Sequence, residues 1–239
     1  MYLLLVFFAT LFVYNFQRLF YKSTNNYEGG SIRRNWISKN QHIIKIHTAI
    51  GFTGTCITFL YCDYKLLFYL SPLLLLSIVY FTPFVKLRKH PLLKLFTLAL
   101  VWTMVTATTP LLLINESITA SDFLHIAERF FFMIAICIPF DIRDLQIDKK
   151  ESIQTLPHFI GESNAKKIAL LCIFISGIAL LMEYVGETIN IKTFTALIIS
   201  TIVTAMFIAK TNTKRSEYFY VAGIDGTMLI QGMLILMAT

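Results

Sequence analysis

Long apolar runs separated by short polar stretches dominate the sequence. A helix needs about 20 apolar residues to cross a bilayer, within a range of roughly 17–25. On this measure the chain contains eight spanning segments, at about 1–20, 43–62, 65–85, 92–114, 123–141, 167–185, 191–209 and 218–238. The pattern predicts an all-α fold, a polytopic transmembrane helix bundle. No Gly/Ser-rich or Pro-rich linker divides the chain, so we predict a single domain over 1–239.

The composition agrees with this pattern. Hydrophobic residues make up 56% of the chain and charged residues 15%, whereas a soluble domain has roughly 45–50% and 25%. The formal net charge is +7. The basic residues lie in short clusters between apolar runs and form no single stripe, which argues against nucleic-acid binding. We therefore expect a lipid bilayer as the partner of this surface.

Lysine and arginine alternate between the predicted loops. The loops after segments one, three, five and seven are rich in these residues, and the intervening loops carry almost none. Because basic loops stay on the cytoplasmic side, both chain ends are predicted outside and the loop after segment five inside. We expect a multi-pass protein of a bacterial inner membrane, with the loop after segment five facing the cytoplasm.

The sequence contains few motifs of soluble enzymes. Its four cysteines lie in or beside apolar segments without metal-ligand spacing, and we predict small buried side chains for them. There is no HExxH, no GxGxxG and no P-loop. Zinc-protease, nucleotide-binding and kinase functions are therefore unsupported.

Three aspartates follow directly on an apolar helix, in the run FDIRDLQIDKK. Spacings of three and four place Asp141, Asp144 and Asp148 on one stripe of a helix. One interpretation is a solvated helix end, balanced by neighbouring Arg and Lys residues. The other is a metal–diphosphate site where the helix leaves the bilayer, since Mg²⁺ prefers a few carboxylates completed by waters and substrate phosphates.

Further charged residues are predicted at the level of these acids. Segment three ends near Pro83 and Lys86, and the next run contributes cations of its own, including Lys94. This is either an ordinary cytoplasmic anchor loop or a cradle for an anionic headgroup. Asp225 is about two turns into the last helix, and we predict that it faces the same cavity. Glu128 and Arg129 in segment five are an internal pair, lie at the membrane interface, or are catalytic.

The run DIRDLQIDKKESIQTLPHFIGESNAKK resembles the second aspartate-rich motif of the UbiA superfamily of intramembrane prenyltransferases. That motif reads approximately D/N-x-x-x-D-x-x-x-D, followed by Thr-Leu-Pro and a Gly before the next helix. Asp144 and Asp148, with Asp141 in front, match the acids, residues 155–157 match Thr-Leu-Pro, and Gly161 matches the glycine. The TPFVK run and the IDGTM run are similar to two further family segments.

The resemblance implies transfer of an isoprenoid chain from a prenyl diphosphate to an aromatic or other lipophilic acceptor, with Mg²⁺ as cofactor. It implies Asp144 and Asp148 as catalytic Mg²⁺ ligands, with Asp141 as a further ligand or behind them. Lys86 is implied as a catalytic residue that contacts phosphate. Substrate-binding roles are implied for Arg143, Asp225, Asn15 and Arg18.

Two departures from the family pattern stand out. The family has nine helices and an inside N-terminus, so this chain is expected to begin at the family's second helix. The first aspartate motif should fall at the end of segment one, where only Asn15 matches, so one of two expected Mg²⁺ ions lacks its anchor. Arg18, Arg33 and Arg34 are hypothesised to neutralise part of the diphosphate instead.

Two functions therefore remain in competition. The first is a working prenyltransferase that has replaced its first motif. The second is a non-catalytic UbiA-like membrane protein that binds a lipid diphosphate or acts as a scaffold. A transporter is disfavoured because the two halves show no repeat and no pair of broken helices.

Overall fold

The regular structure of the protein is helical. The computed structural model describes residues 1–19, 32–81, 91–115, 118–150 and 153–238. Within these ranges the chain forms helices and no strand, which confirms the predicted all-α fold. The helices are α1 (Tyr2–Leu19), α2 (Ile32–Lys39), α3 (Gln41–Leu60), α4 (Tyr64–Phe81), α5 (Pro91–Thr103), α6 (Thr109–Ile114), α7 (Ala120–Lys150), α8 (Leu156–Val185), α9 (Ile191–Ala209) and α10 (Asp225–Ala238).

Two π-helical turns interrupt this series. One, Met104–Thr108, joins α5 to α6, and the other, Phe219–Ile224, leads into α10. Pro110 follows the first turn and has no backbone N–H, so the regular ladder of hydrogen bonds cannot continue through it. α5, the π turn and α6 together still form one continuous span, Leu92–Ile114.

Most of the predicted spanning segments are long helices. By length and composition, seven helices of the described ranges fit a membrane, and Tyr64–Ser77 is a shorter apolar helix. These eight correspond to the eight apolar runs of the sequence. A spanning structure of this kind satisfies its backbone groups internally, as lipid requires.

Two helices extend well beyond the predicted apolar segments. α7 continues to Lys150, whereas the apolar run ends near 141, and α8 begins at Leu156, ahead of the predicted 167. Hydropathy detects only the part of a helix that lies in lipid. The extension of α7 carries the three aspartates on the helix itself. α8 bends at Gly161, whose φ of 80° and ψ of 161° lie in a region that essentially only glycine adopts.

The chain divides into two compact units, Met1–Lys86 and Leu87–Thr239. In the first unit α1 packs closely against α3. A methyl group on Gly51 would lie 2.5 Å from the backbone nitrogen of Phe12, and one on Gly54 would lie 2.3 Å from the ring of Phe8. The small residues therefore allow the two helices to approach, as is common in membranes. The single domain remains a prediction.

In the second unit α7 is the central helix. It packs against α8 and α5, while α9 packs against α8 and α10. Phe132, Met133, Ile138 and Ile142 on α7 are fully buried, together with Tyr220 of the second π turn. The aspartates continue this buried face of α7 toward its C-terminal end.

Candidate functional site

The C-terminal part of α7 presents its three aspartates in different environments. Asp141 and Asp148 are 4% and 3% exposed, whereas the side chain of Asp144 is 27% accessible. Buried carboxylates in an apolar bundle are costly unless positive charge or hydrogen bonds compensate them. The positive groups around each aspartate therefore indicate which cation it can bind.

Lys94, in the first turn of α5, lies between the two buried acids. Its Nζ donates to Asp141 Oδ1 at 2.5 Å and lies 3.8 Å from Asp148 Oδ2. Asp141 and Asp148 are two turns apart on α7, so their carboxylates converge on the same ammonium group. The lysine side chain is itself only 12% accessible. These three residues form a compact, water-poor ion-pair cluster that links α5 to α7.

The remaining acid pairs with the residue before it. Arg143 donates from Nε to Asp144 Oδ1 at 2.7 Å and from Nη2 to Asp144 Oδ2 at 2.8 Å. Its guanidinium also lies 4.9 Å from the ring centre of Phe140 and 5.6 Å from that of Tyr220. Two-pronged pairing and aromatic contact both favour arginine over lysine here. The arrangement fixes a positive charge at the edge of the aspartate stripe.

The second π turn connects the last helix to this charge. The Tyr220 hydroxyl donates to the Asn212 carbonyl oxygen at 2.6 Å, which orients the ring under Arg143. Asp225 follows the turn as the first residue of α10 and interacts electrostatically with Arg143. The second π turn therefore leads Asp225 toward the charges of α7. Its assignment as a substrate-binding residue stays a prediction.

Within the part of the chain that the structure describes, Asp141 and Asp148 pair with Lys94, and Asp144 pairs with Arg143. Among the described residues there is no group of three or more His, Cys, Asp or Glu side chains arranged to hold a metal ion. Asp141 and Asp148 nevertheless gather around one positive group, the Lys94 ammonium. Two carboxylates suffice for Mg²⁺ when waters and phosphate oxygens complete its coordination. The donor chemistry of this pair fits such an ion.

The other predicted site residues lie elsewhere in the chain. Lys86 falls outside the described residues, as do the side chains of Arg33 and Arg34. Asn15 is buried on α1, where its Nδ2 donates to the Leu11 carbonyl oxygen at 2.8 Å. Arg18 Nη1 donates to Asn15 Oδ1 at 3.3 Å. These two residues belong to the first unit, and their binding roles stay predictions.

A second polar cluster lies on α7 about 20 Å from the aspartates, 13 residues earlier at a rise of about 1.5 Å each. Glu128, which is 1% exposed, accepts a hydrogen bond from Ser176 of α8 at 3.0 Å. Arg129 lies beside it, with 3.8 Å between Nε and Glu128 Oε2. Glu128 and Arg129 are therefore an internal pair, one of the three interpretations of their sequence.

The partners of this cluster come from two other helices. Arg129 Nη1 donates to Gln231 Oε1 of α10 at 2.5 Å, and His125 Nδ1 lies 3.4 Å from Glu183 Oε2 of α8. Glu183 and Gln231 are both 2% exposed. Sequence analysis missed both, although a charged residue and an amide inside apolar runs were the available signal. The cluster ties α7, α8 and α10 together.

The described helices and their buried charges define an integral, multi-pass membrane protein. The sequence matches no protein-family model and gives no significant match to a curated protein. The structure is similar to that of a UbiA homolog from Archaeoglobus fulgidus bound to GPP and Mg²⁺. The TM-score is 0.72 at 16% identity, and the alignment covers 99% of this chain and 84% of the other. The chain therefore has a UbiA-like fold.

Proposed function

We propose that the protein is a membrane-embedded prenyltransferase. It transfers an isoprenoid chain from a prenyl diphosphate to an aromatic or other lipophilic acceptor and depends on Mg²⁺. The observation that carries the proposal is the convergence of buried Asp141 and Asp148 on a single positive charge at one end of α7, within a UbiA-like fold. The structural neighbour's bound GPP and Mg²⁺ support the choice of substrate and ion.

The proposed reaction breaks the bond between C1 of the prenyl chain and the diphosphate oxygen. The bonding electrons leave with the diphosphate, the acceptor supplies the electrons of the new bond to C1, and a proton leaves the acceptor. When bound, Mg²⁺ acts as a Lewis acid that stabilises charge on the departing diphosphate. Asp141, Asp144 and Asp148 are the residues proposed to hold the ion. The buried pair, Asp141 and Asp148, would supply ligands from both sides, and Asp144 would lie beside them.

The cations of the chain have a complementary role. Arg143 is held by Asp144 and two aromatic rings, so it presents a fixed positive charge to a phosphate group. Lys86 is proposed as a second phosphate contact, and Asp225, Asn15 and Arg18 as substrate-binding residues. The apolar walls of the bundle keep water from an allylic carbon as its positive charge develops.

Incubation of the purified protein with Mg²⁺, a labelled prenyl diphosphate and aromatic acceptors tests the proposal. We expect turnover that chelation abolishes, and a loss of at least about 100-fold in Asp148→Asn and Asp144→Ala, because both variants remove proposed ligands. Glu187→Gln, an exposed change in the loop after α8, serves as the matched control. Full turnover in both aspartate variants would contradict the metal assignment.

A second function is favoured by one observation. Each acid of the stripe already pairs with a cation of the chain, and the first motif lacks its acids around Asn15. A non-catalytic protein that binds a lipid diphosphate or acts as a scaffold would have these properties. Tight binding of the labelled diphosphate without turnover would support this alternative.

The predicted location follows from the charge of the loops. We propose that the aspartate end of α7 faces the cytoplasm of a bacterial cell, where water-soluble diphosphates are available. The last turn of α7 carries Lys149 and Lys150, as the positive-inside rule requires for a cytoplasmic end.

A further inference from the structure

Lys94 lies at the position of a cation between two proposed metal ligands. Its ammonium nitrogen is 2.5 Å from Asp141 Oδ1 and 3.8 Å from Asp148 Oδ2. The lysine is in the first turn of α5, where the helix dipole disfavours a positive charge. Its position is thus explained by the acids of α7 and not by the helix that carries it.

The three charged side chains of the cluster are largely buried. The side chains of Lys94, Asp141 and Asp148 are 12%, 6% and 4% accessible. Removing one partner of such a buried group leaves an uncompensated charge, which is strongly destabilising. A cation that takes the place of Lys94 would keep the two carboxylates compensated.

We propose that Lys94 and Mg²⁺ are alternative occupants of the space between Asp141 and Asp148, so that Lys94 opposes binding of the metal alone. This rests on the proposed function of the site. Lysine is suited to such exchange because its ammonium is a point charge on a flexible four-carbon stem. A prenyl diphosphate gives the displaced ammonium a new anionic partner, whereas Mg²⁺ by itself gives it none.

The consequence is that ion and diphosphate bind together. Metal alone must remove a buried ammonium from its partners, and that cost lowers the apparent affinity for Mg²⁺. The diphosphate lowers the cost, and by thermodynamic linkage each ligand then raises the affinity for the other. Lys94 is then a positioning residue. It balances the negative charge of the two acids and opposes binding of a divalent ion when no diphosphate is present.

Thermal unfolding of the purified protein during titration with Mg²⁺ alone tests the inference, since ligand binding raises the midpoint by mass action. We expect a small shift in the wild type. Lys94→Met should unfold at a lower temperature without Mg²⁺, regain stability when it is added, and show an apparent Mg²⁺ affinity at least about tenfold higher. Lys94→Arg, which keeps the charge, should behave like the wild type.

The matched control is Lys167→Met, which removes an exposed lysine from α8. NaCl at equal ionic strength controls for screening. If Lys94→Met and Lys167→Met respond alike to Mg²⁺, the inference is wrong. If Lys94→Met is recovered only when Mg²⁺ is present during purification, the inference is supported. Equal instability in Mg²⁺ and in NaCl would overturn it.

A second titration separates this inference from the proposed function. The probe is a prenyl thiolodiphosphate, which does not react. In its presence the wild type should bind Mg²⁺ at least about tenfold more tightly than in its absence, and Lys94→Met should show a smaller gain in Mg²⁺ affinity. An equal gain in both proteins would contradict the role of Lys94. Absence of turnover with an intact Lys94 effect would instead reject the enzyme and leave the competition standing.

Discussion

Two polar residues inside the bundle, Lys94 and Ser176, have acidic partners on another helix. Lys94 of α5 meets Asp141 of α7, and Ser176 of α8 meets Glu128 of α7. An unmatched polar group in an apolar interior costs on the order of 1–3 kcal/mol, so each match contributes mainly by avoiding that cost. The two clusters therefore hold the second unit together at both ends of α7.

The serine of the second cluster offers a sharp comparison. Ser176 and Ser200 are both fully buried, but Ser176 donates to Glu128 whereas Ser200 Oγ has no partner among the described residues. We expect Ser176→Ala to lower the free energy of unfolding by about 1–2 kcal/mol, because a buried carboxyl oxygen loses its donor. Ser200→Ala should be neutral or slightly stabilising. Unfolding in mixed micelles measures both, and equal losses would contradict the pairing.

At the scale of elements, the site depends on helices that continue beyond their apolar runs. The last turns of α7 carry the aspartates, and α8 starts close behind them at Leu156. Between its start and its long apolar part, α8 changes direction at Gly161. The bend separates the first turn of α8 from its long apolar part.

Substitution of Gly161 tests whether this bend is required. Its φ of 80° and ψ of 161° cost a residue with a Cβ about 1–3 kcal/mol, although an added methyl group would meet nothing within 4 Å. We expect Gly161→Ala to lower stability by that amount. Gly177→Ala is the control, because there the methyl would make an ordinary contact of 3.9 Å with Thr201 Cγ2. Indistinguishable thermal midpoints would show that α8 straightens at no cost.

At the scale of the whole molecule, hydropathy indicates the class of protein and charge predicts its orientation in the membrane. The seven long apolar helices and the UbiA-like fold establish an integral membrane protein. Its orientation rests on the distribution of Lys and Arg among the loops. The two ends of α9 provide a direct check, because one is predicted outside and the other inside.

Cysteine labelling in a background without native cysteines measures this orientation. Lys192 and Lys214 are exposed and lie at opposite ends of α9. We expect a membrane-impermeant maleimide to label Lys192→Cys in intact bacterial spheroplasts and Lys214→Cys only after permeabilisation. The reverse pattern would place the aspartates on the outer face and exclude a cytoplasmic diphosphate as substrate.

Much of the fold was predictable because a bilayer imposes simple rules. Apolar length located the spans, and the spacings of Asp141, Asp144 and Asp148 predicted one helical stripe. The helix ends were harder to predict, because α7 and α8 continue with polar residues beyond the apolar runs. The sequence did not predict that Gly51 and Gly54 lie at a helix contact, because this is visible only when α1 packs against them.

The sequence by itself determined the helices, their apolar faces and the acids at the end of α7, because these follow from local periodicity and from transfer between water and lipid. Tertiary structure alone decided the partners. Lys94 and Asp141 are 47 residues apart, and Glu128 and Ser176 are 48 apart. Such pairs form only when helices pack side by side, and the packing depends on the shapes of whole surfaces, which local sequence patterns do not contain.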